Sequence, residues 1–108
     1  MSKVLIIDDD SGVCRTLKVM VSQQGHEAYA ASTLAHGLEV IAREPIDLVL
    51  LDVHLPDGNG LERIPAIAQS PSRPEIIILT GQGDPDGADL AIRNGAWDYI
   101  QKSASPKA

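Results

Sequence analysis

The chain has 108 residues, 44% hydrophobic and 22% charged, with a formal net charge of −6 and a pI near 4.8. That is enough for one small domain with a single core, and the acidic balance argues against direct nucleic-acid binding, which wants a basic face. No apolar run is long enough to cross a bilayer, and the single cysteine, Cys14, cannot form an internal disulfide, so a cytoplasmic domain is expected.

Taken in chain order, Val4-Leu5-Ile6-Ile7 is a short apolar run that meets three adjacent carboxylates, Asp8, Asp9 and Asp10. Such a run predicts a strand buried on both faces of a parallel sheet. Asp10 or Ser11 then caps a helix whose apolar face holds Val13, Leu17, Met20 and Val21, with Cys14 as a small hydrophobe. Gly25 suits the end of that helix and precedes a weaker strand, Glu27 to Ala31. Ser32 or Thr33 caps a second helix with Leu34, Leu38 and Ile41 on one face. Leu48 to Leu51 predicts the third strand, and the turn formers Pro56-Asp57-Gly58-Asn59-Gly60 predict a loop. Leu61, Ile64 and Ile67 or Ala68 share the face of a third helix, which Pro65 would kink unless it begins late. Ile76 to Leu79 predicts the fourth strand, and Asp84 to Asp86 can cap a fourth helix that includes Asp89 to Asn94. Gly95 then leads into a fifth strand, Trp97 to Ile100. His26 and His36 are expected at the surface, without partners at metal-ligand spacing.

The pattern is (βα)₄β, a doubly wound α/β domain, for which the flavodoxin-like strand order 2-1-3-4-5 is common. Ligands gather at the carboxyl ends of the strands in such folds. Asp8 and Asp9 follow the first strand here, Asp52 the third, Thr80 and Gly81 the fourth, and Lys102 the fifth. The order brings them to one rim. Adjacent carboxylates repel unless a cation sits among them, so Asp8, Asp9 and Asp52 suit a hard divalent ion such as Mg²⁺. For any one of these aspartates the plain alternative is a solvated turn.

The Asp pair in IIDDD, the segment LDVHLPDGNG around Asp52, ILTG around Thr80 and GAWDYIQK ending at Lys102 stand in one order along nearly the whole chain. In that combination the chain resembles the receiver domain of a two-component response regulator. The wording of LTGQGDPDG and GAWDYIQK further resembles receivers attached to enhancer-binding transcription activators. The resemblance implies that Asp52 accepts a phosphoryl group from a sensor histidine kinase, with Mg²⁺ held by Asp9 and Asp52, by the backbone carbonyl of His54 and by Asp8 through water. Lys102 would supply an ammonium, Thr80 a hydroxyl and Gly81 space and a backbone N–H. Thr80 and Tyr99 would form the switch, and the side chains of His54 and Gln82 would tune hydrolysis. The implied partners are the kinase, an output domain outside this chain and a phosphorylation-linked second copy. Nucleic acid and membrane are not direct partners.

Two features depart from the family pattern. Ser103 follows Lys102 where the family has a proline, and Ser105-Pro106 reads like the start of a fifth helix that the chain does not complete, so residues 1–108 are expected to be a single, C-terminally truncated receiver. Two other functions compete on this fold. A flavin carrier would place a phosphate where Asp8, Asp9 and Asp10 repel it. A Mg²⁺-dependent phosphatase with a phospho-aspartate needs a substrate pocket that no loop here is long enough to build.

Overall fold

In the computed structural model the apolar run and the lysine before it form β1 (Lys3–Ile7), and residues 2–80, 95–96 and 98–101 are described. Asp10 is the cap of α1 (Ser11–Gln23), its carboxylate accepting the N–H groups of Gly12 and Val13, and Ser11 is the first helical residue. The helix closes at Gln24, after which Gly25 turns the chain with φ +87°, and a Cβ added there would meet nothing within 4 Å. Gly25→Ala is therefore expected to cost only the left-handed backbone strain, about 1 kcal/mol, and to lower the melting temperature by roughly 5 °C in a thermal unfolding scan.

The second strand is β2 (Glu27–Ala31), as expected, and α2 (Leu34–Arg43) starts at Thr33, whose Oγ1 accepts the N–H of His36. Next come β3 (Leu48–Asp52) and a small hairpin, β4 (His54–Leu55) with β5 (Gly58–Asn59), the second strand of which falls within the 56–60 stretch expected to be a loop. The third helix differs from its expected form. A 3-10 turn, Gly60–Arg63, carries Leu61, and α3 (Ile64–Ala68) begins only after it. Pro65 thereby falls in the first turn of α3, where its missing N–H has no helical partner to lose. The remaining described strands are β6 (Glu75–Thr80) and β7 (Asp98–Gln101). The expected fourth helix and its caps lie outside the described residues.

The main sheet runs β2-β1-β3-β6-β7, and every pairing in it is parallel. This is the predicted 2-1-3-4-5 order. Strand side chains alternate between faces, so β1 divides its apolar residues between two layers. Leu5 and Ile7 join Val49, Leu51, Ile76 and Ile78 under α2 and α3, in a core completed by Leu34, Val40, Ile41, Ile64 and Ile67. Val4 and Ile6 join Leu50 and Leu79 on the opposite face, where half-buried Cys14, Leu17 and Val21 of α1 pack. Met20 is not part of that face: it is 55% exposed. The stripe is centred on Cys14, Leu17 and Val21, and at about 100° per residue Met20 lies roughly 90° around the helix from it.

His26 also departs from expectation. It is half-buried, and its Nδ1 accepts the N–H of Ser2 at 3.0 Å, which ties the amino terminus to the start of β2. Beside it, Lys3 Nζ donates to Glu44 Oε1 at 3.0 Å and to Tyr29 Oη at 3.4 Å. The ammonium holds the Glu44 carboxyl below its ordinary value, and Glu44 in turn raises the lysine. This polar group sits at the amino ends of the strands, away from the carboxylate rim.

Candidate functional site

Parallel register sets the carboxyl ends of the central strands side by side. Ile7 is paired with Leu51 and Asp52 with Leu79, so Asp8, one residue beyond β1, arrives at the same level as Asp52, the last residue of β3. Asp8 is fully buried and Asp52 is 5% exposed, while Asp9 is open to solvent. Ligand oxygens of Asp8, Asp9 and Asp52 lie within 4.8 Å of one another. One carboxylate oxygen from each residue is a hard donor set, and it fits Mg²⁺ or Ca²⁺, which take oxygen ligands and leave positions for water or phosphate. Asp8 is further fixed through its backbone: its N–H donates to Ala31 O at 3.0 Å, and its carbonyl accepts the Cys14 thiol at 3.2 Å. Cys14 is thus a core residue with a weak hydrogen bond to the site. Asp8 Oδ1 also accepts the N–H of Asp10 at 2.9 Å, which shapes the turn into α1.

Beyond Asp52 the chain folds back sharply. Gly60 N–H donates to Val53 O at 2.7 Å, and His54 pairs with Asn59 to close the hairpin. The return passes so close to the end of β3 that a Cβ on Gly60 would collide with the carbonyl oxygen of Asp52 and sit 3.2 Å from Leu51 Cγ. The His54 side chain is exposed. At the hairpin tip, Asp57 Oδ1 accepts the N–H of Leu34 at 2.8 Å and its Oδ2 accepts that of Ala35 at 3.0 Å. These two bonds hold the Asp57 carboxyl below its ordinary pKa of 3.8. A depressed acid stabilises the fold above its unfolded pKa and loses that contribution as pH falls through the folded value. Asp57→Asn is therefore expected to flatten the acid limb of the stability profile below about pH 4, read by urea unfolding as the pH is lowered from there.

A family model for the response regulator receiver domain matches residues 4–108. The chain belongs to the response regulator receiver domain family. Among its relatives is the KDP operon transcriptional regulatory protein KdpE of Escherichia coli, 36% identical over 103 residues that cover 94% of this chain and 45% of the relative. Another is the response regulator PilR of Pseudomonas aeruginosa, 33% identical over 100 residues, covering 93% of this chain and 22% of the relative. The receiver thus spans about half or less of the length of these curated relatives. A Burkholderia pseudomallei response regulator solved with a phosphorylated aspartic acid, calcium ion and citrate superposes with a TM-score of 0.88 at 26% identity, covering 97% of this chain and 62% of that one.

Of the residues singled out in the sequence, the receiver brings Asp8, Asp9 and Asp52 together and sets the His54 backbone two residues beyond Asp52. Thr80 ends β6 opposite Gln101, and Tyr99 lies on β7 opposite Ile78, both placed by their backbone. Gly81, Gln82, Lys102 and Ser103 lie outside the described residues. In the sequence Asp57 and Gly60 stand only as turn formers. Asp57 reaches a helix 23 residues upstream, a contact that no local pattern announces, whereas a second glycine just after the acidic strand end is the one available signal for Gly60.

Proposed function

We propose that this receiver takes a phosphoryl group from the phosphohistidine of a sensor histidine kinase onto Asp52 and passes the resulting change to an output domain or partner. The observation that carries this is the near-buried Asp52 carboxylate at the end of β3 with Asp8 and Asp9 within reach of the same cation. A carboxylate is already ionised at neutral pH and needs no base to act as nucleophile. Its oxygen attacks phosphorus, the P–N bond to the imidazole breaks, and the imidazole nitrogen leaves with the bonding pair. Mg²⁺ is the cation proposed here, held by Asp9 and Asp52, by the His54 backbone carbonyl and by Asp8 through water. When bound it neutralises charge on the transferring oxygens, which is most of what catalysis of a loose phosphoryl transfer requires. The chain's own part is to hold Asp52 in line and keep three carboxylates converged.

The family resemblance supports the remaining assignments: Lys102 as the ammonium on the phosphoryl group, Thr80 with Gly81 as its hydroxyl and backbone contacts, and Thr80 with Tyr99 as the switch. His54 and Gln82 are assigned to tuning hydrolysis. We extend the reading to a cytoplasmic protein that catalyses its own phosphorylation and dephosphorylation, carries a transcriptional output beyond this chain and pairs with a second copy when phosphorylated. The family match sets aside the small-molecule phosphatase. Among the described residues no helix is long and apolar enough to cross a membrane.

The reading is tested by incubating the protein with a phosphoramidate and Mg²⁺ and measuring intact mass. One phosphoryl group should be gained per chain and none with chelator present. Equal gain with and without metal would defeat the carboxylate-cluster reading.

A further inference from the structure

Asp57 closes a ring of contacts around the carboxylate cluster. From Asp52 the chain enters the hairpin, whose base is sealed by Gly60 N–H on Val53 O and whose tip is fixed by the Asp57 carboxylate on the N–H groups of Leu34 and Ala35. The tip also packs there: a Cβ on Gly58 would lie 3.2 Å from Leu34 Cδ1, and Leu34 and Leu55 belong to the same core. The α2 helix is in turn pressed onto β1 through Gly37, where a Cβ would stand 2.9 Å from Ile7 Cγ1. Ile7 is the residue before Asp8. The loop that follows one carboxylate is thereby braced, through α2, against the strand that delivers another.

We propose that Asp57 is a positioning residue for the acceptor site: by pinning the 54–60 loop to α2 it holds the loop backbone, including the His54 carbonyl, where the carboxylate cluster binds a divalent cation. This rests on the acceptor reading of that cluster and adds to it a residue that does not itself touch the ion. A side chain that satisfies two first-turn N–H groups at once also supports α2, so helix support must be separated from loop placement. Thr33 provides the separation. Its hydroxyl caps the same helix end through His36 N–H and, among the described residues, makes no hydrogen bond to the loop, so Thr33→Ala weakens α2 alone.

The test uses the whole chain as wild type, Asp57→Ala, Asp57→Asn and Thr33→Ala, with two measurements. Amide hydrogen exchange is followed by NMR in metal-free protein, and Mg²⁺ affinity is measured by calorimetry. Asp57→Ala should speed exchange of Leu34, Ala35 and Gly60 by about tenfold and weaken Mg²⁺ binding by about three- to tenfold. Asp57→Asn keeps one acceptor oxygen and should recover part of both effects. Thr33→Ala should speed exchange at His36 while leaving Gly60 exchange and Mg²⁺ affinity within about twofold of wild type. Unchanged Gly60 exchange in Asp57→Ala overturns the proposal, as does equal loss of Mg²⁺ affinity in Thr33→Ala. Failure of the wild type to bind Mg²⁺ would instead strike the acceptor reading itself, and the metal half of this inference with it.

Discussion

Asp52→Asn is expected to fold as the wild type does and to gain no phosphoryl group from a phosphoramidate under conditions that phosphorylate the wild-type protein fully. Asparagine keeps the size and planarity of the side chain at a site only 5% exposed, so β3 and its pairing with β6 need not move. What changes is chemical. The amide oxygen is a far weaker nucleophile than a carboxylate, and the unit negative charge that helps hold a hard cation is gone. Mg²⁺ affinity should drop by at least about tenfold, and intact mass should show no adduct. Retained phosphorylation would place the acceptor on another residue, with Asp9 the first to examine by peptide mapping because it is the solvent-open member of the cluster.

Gly60→Ala is expected to be among the most damaging single substitutions in the described part of the chain. The added methyl would overlap the backbone carbonyl of Asp52 and crowd Leu51 Cγ at 3.2 Å, and neither neighbour is the loose end of a flexible side chain. Leu51 is fully buried in the main core. Relief therefore requires the loop base to open, with loss of the Gly60–Val53 hydrogen bond, or the end of β3 to shift. Overpacking of this kind costs about 3 kcal/mol, a large share of the roughly 5 to 15 kcal/mol that stabilises a domain. Urea unfolding should show the midpoint shift, and Mg²⁺ affinity should fall with it, because either adjustment disturbs the backbone beside Asp52. An alanine variant with wild-type stability and affinity would show that the loop yields without disturbing β3.

The sheet was legible because its strands are written as runs with little ambiguity: VLII, LVLL and IIIL are β-branched or leucine segments bounded by charge or turn formers. Their order then followed from the topology rules of parallel sheets, and the convergence of Asp8, Asp9 and Asp52 followed from the order. What escaped the sequence has specific physical reasons. Met20 satisfies a helical spacing, but the stripe that packs on the sheet is narrow, and one residue's rotation takes the side chain into solvent. His26 gives no pattern of its own, since its partner is a backbone N–H near the amino terminus. Pro65 announced an interruption without saying whether the helix would bend or start late, and the 3-10 turn before it resolves that. Asp57 has the composition of a turn residue, and only the folded chain shows that its carboxylate serves another helix.

The flush register of β1 with β3 has a kinetic consequence. Asp8 and Asp52 lie far apart along the chain, and they become neighbours only when the crossover through α1, β2 and α2 is complete and the two central strands have paired. Parallel pairing of that kind must close a long loop before its contacts repay the lost entropy, so it cannot precede the collapse of the intervening segment. A chain emerging from synthesis thus carries Asp8 and Asp9 before Asp52 is set beside them. Under the proposed function, competence to be phosphorylated becomes a report that the middle of the sheet has closed.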